Sequence, residues 1–392
     1  MNLRLSAVEA LPKDGFAGTL VGRVWRPDVQ GPSVIVLRHG GVQDISRAFA
    51  TMRDLCEARD PAAAVQEVNG EPIGDVEAIL ANTPEAERDL ALPWLLSPVD
   101  LQAIKAAGVT FAISLLERVI EEQARGAPER AAAVRAEVEQ ALGGAVAGLR
   151  PGSPEAMELK KLLQAKGLWS QYLEVGIGPD AEIFTKAQPL AAVGTGAAIG
   201  ILPQSRWNNP EPEIVLVANS RGEIVGATLG NDVNLRDLEG RSALLLGKAK
   251  DNNASTAIGP FIRLFDDTFS LDHVRRAEVS LVVEGQDGFR LEGTSAMAQI
   301  SRDPAALIAE MIGEYHQYPD GAALFLGTMF APTKDRDAPG QGFTHHLGDV
   351  VTIASEQLGA LVNVVTTCDQ ASPWTFGAGA LMRNLAKRGL LG

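Results

Sequence analysis

The sequence predicts an α+β protein in two parts: a smaller α/β N-terminal domain with a helical hairpin over residues 1–165, and a β-rich catalytic domain over residues 166–392. Two observations predict this division. Residues 97–166 are mostly helical in pattern, whereas the chain beyond about residue 167 has short apolar runs separated by Gly, Asn, Asp and Pro. Short runs between turn residues are typical of antiparallel strands. The length of 392 residues also fits two domains.

The N-terminal part combines predicted strands and helices. Residues 17–37 carry strand-like apolar runs, and residues 44–58 have a helical pattern. Ser97-Pro98 predicts a helix start, because serine caps helices and proline is favoured at the first helical position. Residues 109–123 and 128–142 show helical spacing or helix-forming composition, and the alanine-rich region 124–150 is predicted to be a solvated helical hairpin.

The β-rich part contains several short apolar runs and one predicted helix. The runs cover residues 183–186, 197–202, 214–218, 224–229, 278–284 and 350–354. Asp303-Pro304 begins the predicted helix, which continues to Tyr318, because Asp is a favoured cap and Pro a favoured first residue. The spacing of the runs predicts a mostly antiparallel sheet.

Composition and charge exclude several classes of protein. The net charge of −14 and the lack of a basic stripe argue against nucleic-acid binding. There is no apolar run of about 18 residues, so we expect no membrane span. The two cysteines, Cys56 and Cys368, define neither a disulfide framework nor a zinc site, and the first residues do not form a secretory signal. We therefore expect a cytoplasmic protein.

Two glutamates form the most informative pattern. Glu211 and Glu213 stand two apart at the start of an apolar, β-branched run, so a strand would point both to one face. Adjacent carboxylates repel each other, and a bound divalent cation is the simplest reason to keep them near a core. Asp232 offers a third carboxylate. Oxygen ligands without nearby Cys or His favour Mg²⁺, with Mn²⁺ as a substitute. The alternative is a pair of surface glutamates and an Asn-Asp turn.

Other polar residues are candidates for proton transfer or substrate binding. A divalent cation near Lys250 would disfavour its ammonium form, so this lysine can exchange protons near neutral pH; a solvated loop lysine is the alternative. Glu182 enters a predicted strand and can face the metal, and Lys186 can pair with it or with a substrate carboxylate. Ser114 and Glu117 share a helix face, but without a histidine they do not form an obvious nucleophile and base.

Thr328 and a pair of histidines complete the candidates. Thr328 follows a glycine and can donate to an anionic oxygen. His345 and His346 are adjacent, so on a strand they point to opposite faces and rarely chelate one ion together. We therefore interpret both histidines as structural or rim residues.

Taken together, these blocks resemble the fumarylacetoacetate hydrolase family over roughly residues 165–366. The ordered blocks that carry the resemblance are Phe184-Thr185-Lys186, Pro210-Glu211-Pro212-Glu213, Gly230-Asn231-Asp232-Val233, Lys250, Gly259-Pro260, Gly327-Thr328 and Gly348-Asp349. The resemblance implies a mixed β-roll for the C-terminal domain. It also implies Mg²⁺ ligands at Glu211, Glu213 and Asp232, and a substrate pocket that contains Lys250 and Thr328.

One departure from the family pattern bears on the reaction. C–C bond hydrolases of the family commonly carry an Asn-Tyr-x-x-His-x-x-Glu block, and Ser114 stands at the histidine position here. Serine cannot act as that general base at neutral pH. The block around Glu182 instead resembles the branch that dehydrates 2-keto-3-deoxy sugar acids.

The resemblance to that branch implies a Mg²⁺-dependent dehydratase that converts a 2-keto-3-deoxy-pentonate to 2,5-dioxopentanoate in non-phosphorylative pentose breakdown. Lys250 or Glu182 would be the base, and the other of the two or Glu117 the acid. Thr328, Lys186, Ser114 and Lys250 would contact the small 2-keto acid. An acylpyruvate or diketo-acid hydrolase is the first alternative, and a non-catalytic sugar-acid binding protein the second. A homodimer or homotetramer is expected.

Overall fold

The structure is a computed structural model, and it describes residues 3–142, 148–167, 169–330, 332 and 334–391, without the side chains of residues 132 and 138–142. Residues 143–147, part of the predicted hairpin, lie outside the described residues, as do Ala331 and Thr333 beside Thr328. No helix in the described ranges is long and apolar enough to span a membrane.

Helices cluster in the first half of the chain and strands dominate the second. Strands in the described residues are β1 (Leu20–Arg26), β2 (Gly31–Arg38), β3 (Gly41–Asp44), β4 (Glu71–Gly74), β5 (Trp94–Leu95), β6 (Ala103–Gly108), β7 (Glu182–Ala187), β8 (Ala198–Ile201), β9 (Asn208–Asn209), β10 (Pro212–Ala218), β11 (Ile224–Asp232), β12 (Asn234–Leu235), β13 (Thr256–Leu264), β14 (Glu278–Glu284), β15 (Arg290–Ala296), β16 (Ala322–Phe325), β17 (Val350–Ser355) and β18 (Gly359–Thr367). Helices there are α1 (Ala7–Ala10), α2 (Met52–Cys56), α3 (Pro61–Glu67), α4 (Val76–Ala81), α5 (Ala112–Ala124), α6 (Pro128–Leu142), α7 (Pro154–Ala165), α8 (Gln171–Ile177), α9 (Arg236–Glu239), α10 (Leu246–Lys250), α11 (Leu271–Arg276), α12 (Pro304–Met311) and α13 (Ala378–Lys387).

The strands form a large mixed sheet, a smaller mixed sheet and a short antiparallel pair. The large sheet has the order β4-β3-β2-β1-β13-β11-β10-β16-β6-β7, with β5 beside β1. The smaller sheet has the order β15-β14-β17-β18-β8, and β12 pairs with β9. The pairs β16·β6 and β18·β8 are parallel, and the other ladders are antiparallel. These mixed sheets and the surrounding helices confirm the predicted α+β class.

Strands from both sides of the predicted domain boundary share the large sheet. β1 pairs with β13, and β6 lies between β16 and β7. Hydrogen-bonded ladders therefore connect strands on the two sides of residues 165/166. The division of the chain into two domains at this point stays a prediction.

Some local predictions were wrong because pairing in the sheet overrides local propensity. Of the predicted helix over residues 44–58, only Met52–Cys56 is helical, as the short α2, and Asp44 is the last residue of β3. Ser97-Pro98 starts no helix, and the chain proceeds to the alanine-rich β6, which is held between two partner strands. The helix predicted from Asp303 to Tyr318 ends at Met311. Helix α5 confirms the pattern over residues 109–123.

The strand that begins beside the glutamate pair lies at the centre of the large sheet. Every residue of β10 is buried, as expected for a strand covered on both faces. Ile214 and Leu216 pack in one hydrophobic cluster, and Val215 and Val217 in another. The glutamates therefore stand at the end of a strand whose position is fixed from both sides.

Candidate metal and active site

The three predicted carboxylates meet at the open end of the β10–β11 hairpin. The antiparallel register pairs Pro212 with Asn231, so Glu211 lies beside Asp232, whose N–H donates to the Glu211 carbonyl at 3.1 Å. Glu213 follows two residues along, on the same face of the strand. One carboxylate oxygen from each of these three buried residues lies within 4.8 Å of one from each of the others. The predicted cluster is thus assembled by strand pairing.

The electrostatics of the cluster fit a divalent cation. Burial raises the pKa of Glu213 well above its usual range, and the nearby Asp232 and Glu211 raise it further. Burial also raises the pKa of Glu211, although Lys250 and Arg118 oppose that change. Crowded carboxylates that resist ionisation together are stabilised by a hard cation with oxygen ligands, as Mg²⁺ is. The donor set therefore fits the predicted ion.

A cavity of about 790 Å³, part of it open to solvent, lies over the cluster. Of the described residues that line it, seven carry a carboxyl group and three are cationic. The acidic residues are Glu117, Glu121, Glu182, Glu211, Glu213, Asp232 and Glu239, and the cationic residues are Arg118, Arg236 and Lys250. This excess of acidic groups also favours a bound cation.

Lys250 lies at the end of α10 and points into the cluster. Its Nζ is 2.9 Å from Glu211 Oε2, 3.1 Å from Asp232 Oδ1 and 3.4 Å from Glu239 Oε1. Burial lowers the pKa of Lys250, but the three carboxylates outweigh burial and hold this pKa well above its usual range. These carboxylates favour the ammonium form of Lys250, and the expected effect of a nearby divalent cation on that form stays a prediction.

Glu182, the first residue of β7, lies on the cavity wall. It is paired across the sheet with Gly108, where the Cβ of any larger residue would overlap Glu182 Oε2. Burial, together with the charge of Glu239, raises the pKa of Glu182 to about 7. A carboxyl group with a pKa near neutrality can take up and return protons during catalysis.

Lys186 lies behind the cluster and is not one of the described residues that line the cavity. Its buried Nζ donates to the carbonyl oxygens of Lys250 at 2.7 Å and Ser255 at 2.9 Å, and it lies 3.3 Å from Asp232 Oδ1. The geometry therefore differs from the prediction that Lys186 contacts substrate. Its ammonium group instead stabilises Asp232 and the segment that carries Lys250.

Glu117 and Ser114 line the cavity, but both are engaged by protein groups. Glu117 Oε2 accepts from Arg135 at 2.9 Å and from Arg236 at 3.1 Å, so this geometry does not support the predicted acid role. Ser114 donates to the carbonyl oxygen of Phe111 in its own helix at 2.9 Å.

Thr328 lines the cavity as predicted, and the histidines do not. Its Oγ1 accepts the N–H of Phe330 at 3.1 Å, so the hydroxyl can donate its proton to a substrate oxygen. His345 Nδ1 lies 3.3 Å from Asp349, and the half-buried His346 places its Nε2 2.9 Å from Asp337 Oδ1. None of the chain's five histidines, all of them described, lines the cavity.

Sequence reasoning missed Arg118 and Glu239. Arg118 Nη2 donates to Glu211 Oε1 at 2.6 Å, and Nη1 donates to Glu121 Oε2 at 2.8 Å and contacts Glu239. A signal was present: Ser114, Glu117, Arg118 and Glu121 recur at helical spacing along α5. A polar stripe of this kind indicates a helix that covers a polar site.

Comparison with known proteins supports the resemblance found in the sequence. Residues 177–366, just under half of the chain, match the family described as fumarylacetoacetate hydrolase C-terminal. Two curated relatives are a probable 2-keto-3-deoxyxylonate dehydratase of Haloferax volcanii, 33% identical over 196 residues, and a 2-dehydro-3-deoxy-D-arabinonate dehydratase of Saccharolobus solfataricus, 34% identical over 187 residues. The alignments cover 50% and 47% of this chain, and 64% and 58% of those relatives.

Solved structures support the family fold over a longer stretch. One is a 2-keto-3-deoxy-D-arabinonate dehydratase complexed with magnesium and 2,5-dioxopentanoate, with a TM-score of 0.62 and 20% identity. The apo form of a 2-keto-3-deoxy-D-arabinonate dehydratase gives a TM-score of 0.62 at 21% identity. Each comparison covers 89% of this chain and 99% of the other. At this identity the similarity shows the fold, which confirms the predicted β-roll of the family type.

Proposed function

We propose that the protein is a Mg²⁺-dependent dehydratase that converts a 2-keto-3-deoxy-pentonate to 2,5-dioxopentanoate. The observation that carries the proposal is one cavity that joins three clustered carboxylates to Glu182, a half-buried acid with a pKa of about 7. The names of the two curated relatives support the same reaction class. So does the similar solved structure whose ligands are magnesium and 2,5-dioxopentanoate.

The chain's residues divide into an ion-binding group and a proton-transfer group. Glu211, Glu213 and Asp232 would hold the metal. Mg²⁺, when bound, supplies positive charge to the substrate carboxylate and 2-keto oxygen, which acidifies the C3 protons. Thr328 donates its hydroxyl proton to a substrate oxygen.

Glu182 and Lys250 move the protons. Glu182 takes a C3 proton, the C3–H electron pair forms the C3=C4 bond, and the C4 hydroxyl leaves as water with a proton from Lys250. Neutral Lys250 then removes a C5 proton while Glu182 returns its proton to C3, which shifts the double bond to C4=C5. The resulting enol becomes the aldehyde when a proton leaves its hydroxyl and another adds to C4. Both residues recover their starting states.

The geometry disfavours the hydrolase alternative. The family's water-activating histidine is replaced by Ser114, which donates to its own helix. The carboxylate of Glu117, three residues later, is held by two guanidinium groups. No histidine from elsewhere in the sequence reaches the cavity lining. A hydrolytic water would therefore lack a positioned base at this wall of the cavity.

A turnover assay tests the proposal. The purified protein is incubated with Mg²⁺ and each 2-keto-3-deoxy-pentonate epimer, and 2,5-dioxopentanoate is detected by NMR and by a coupled aldehyde dehydrogenase. We expect product with at least one epimer and none from an acylpyruvate. Pyruvate release from an acylpyruvate, with no turnover of any 2-keto-3-deoxy acid, would overturn the proposal. The cytoplasmic location and the homodimer or homotetramer stay predictions.

A further inference from the structure

We infer that Arg118 is a positioning residue that fixes the carboxylate of Glu211 for Mg²⁺ and so sets the affinity of the site without binding the ion itself. The inference rests on the proposed function in one respect, that Glu211 is a metal ligand. Arg118 Nη2 donates to Glu211 Oε1 at 2.6 Å, a shorter distance than those from Lys250 and Asn234 to the same carboxylate.

Glu211 is oriented from several sides, unlike its neighbour Glu213. Its Oε1 accepts from Arg118 and from Asn234 Nδ2 at 3.2 Å, and its Oε2 accepts from Lys250 at 2.9 Å. Its backbone N–H donates to Asn231 Oδ1 at 3.2 Å. Donors on both carboxylate oxygens select one rotation of the carboxylate plane. Arg118 is the one of these donors that comes from α5, outside the strand pairs and the α10 segment.

The guanidinium group, which is largely shielded from solvent, is itself fixed by a series of ion pairs. Arg118 Nη1 donates to Glu121 Oε2 at 2.8 Å, one helical turn further along α5. Glu121 Oε1 accepts from Arg236 Nε at 2.6 Å, and Arg236 Nη2 donates to Glu117 at 3.1 Å. These ion pairs therefore connect α9 to α5, and Arg118 extends the connection from α5 to the metal ligand Glu211.

The backbones of the two segments also approach closely. A Cβ at Gly240, which follows α9, would lie 2.9 Å from Glu121 O and 2.9 Å from the Cα of Gly126, which follows α5. Such close contact leaves little room for α5 to shift against α9. The position of Arg118 is thus set by packing as well as by charge, and a positioned donor can hold a ligand in one orientation.

A purely electrostatic role would have the opposite effect on metal binding. A positive charge 2.6 Å from a ligand oxygen repels a cation, so its removal alone would tighten Mg²⁺ binding. Removal of a group that orients a metal ligand instead weakens binding, typically by about 10–100-fold. Glu121 and Glu239 contact the same guanidinium and offset its charge, so orientation is the larger effect. The direction of the change separates the two roles.

Calorimetric titration of the full-length protein with Mg²⁺ tests the inference. We expect Arg118→Gln to raise the Kd about 10–100-fold. Arg118→Lys should give an intermediate Kd, because a single ammonium group keeps the charge but not the forked donors. Arg130→Gln, which removes an exposed arginine from the neighbouring α6, is the matched control and should leave the Kd unchanged.

The outcomes separate this inference from the proposed function. An unchanged or lower Kd in Arg118→Gln overturns the positioning role. A wild-type protein that binds no Mg²⁺ overturns it together with the metal site, whereas Mg²⁺ binding without turnover counts against the reaction alone. If Arg118→Gln does not fold, Arg118→Lys serves instead, since it keeps the positive charge but loses the forked donors. We expect a higher Kd there, and an unchanged Kd contradicts the inference.

Discussion

Replacing Glu213 by glutamine should stabilise the metal-free protein while it abolishes Mg²⁺ binding. The substitution keeps the shape of the side chain and removes one of three carboxylates, each of which has one oxygen within 4.8 Å of one from each of the others. At that separation and an effective dielectric constant of about 20, each like-charge pair costs about 3.5 kcal/mol. Protonation of Glu213 and the ammonium group of Lys250 both relieve part of this repulsion in the wild type, so the net gain in the free energy of unfolding is about 1–3 kcal/mol.

The gain should depend on pH in a defined direction. Burial and two neighbouring carboxylates raise the pKa of Glu213 in the folded protein, so its protonated form carries no penalty at low pH. Stability is lost as the pH rises above the ordinary carboxyl range and through the raised pKa, because the crowded group must then ionise. The advantage of Glu213→Gln should therefore be larger at pH 8 than at pH 5.

Thermal unfolding in EDTA and in Mg²⁺ measures both effects. For 392 residues, about 1–3 kcal/mol corresponds to a Tm increase of roughly 1–4 °C. Mg²⁺ should raise the Tm of the wild type and leave that of Glu213→Gln unchanged. Glu278→Gln, at an exposed position of β14, is the matched control. A variant that is less stable than wild type in EDTA at pH 8, and that retains the full response to Mg²⁺, would refute the reasoning.

Three further predictions concern the proton-transfer residues. Gly108→Ala should displace the Glu182 carboxyl group and lower kcat by about 10²-fold. The Kd for Mg²⁺, measured by calorimetry, should not change, and an unaltered kcat would argue against proton transfer by Glu182. Glu239→Gln removes a negative charge that raises the pKa of Glu182. The acid limb of the plot of kcat/KM against pH, expected near pH 7, should therefore move to lower pH, and a shift to higher pH would contradict this prediction. Ser114→His should not create acylpyruvate hydrolysis, because two guanidinium groups hold Glu117, and pyruvate detected by lactate dehydrogenase would show otherwise.

The metal cluster could be predicted because its geometry is local. Strand alternation places Glu211 and Glu213 on one face, and a single hairpin brings Asp232 beside them. Period-two alternation and hairpin pairing are both visible in the sequence.

The partners of the cluster could not be predicted in the same way. Arg118 reaches Glu211 only because α5 packs over the end of a hairpin 93 residues further along the chain. Glu182 and Lys186 belong to the same strand, but about 13 Å separates them along it, and the pairing of β7 with β6 is irregular at Lys186. That distance takes one residue to the cavity wall and the other behind the metal ligands. Which residue meets the substrate depends on where β7 lies in the sheet, which local patterns do not specify.

The most direct test of the account is the rate of 2,5-dioxopentanoate formation from a 2-keto-3-deoxy-pentonate, followed by NMR for wild type and Glu182→Gln, in Mg²⁺ and in EDTA. The account predicts product from the wild type in Mg²⁺, none in EDTA, and a rate lowered by at least about 10²-fold in Glu182→Gln. Equal rates in Mg²⁺ and EDTA, or a fully active Glu182→Gln, would contradict it.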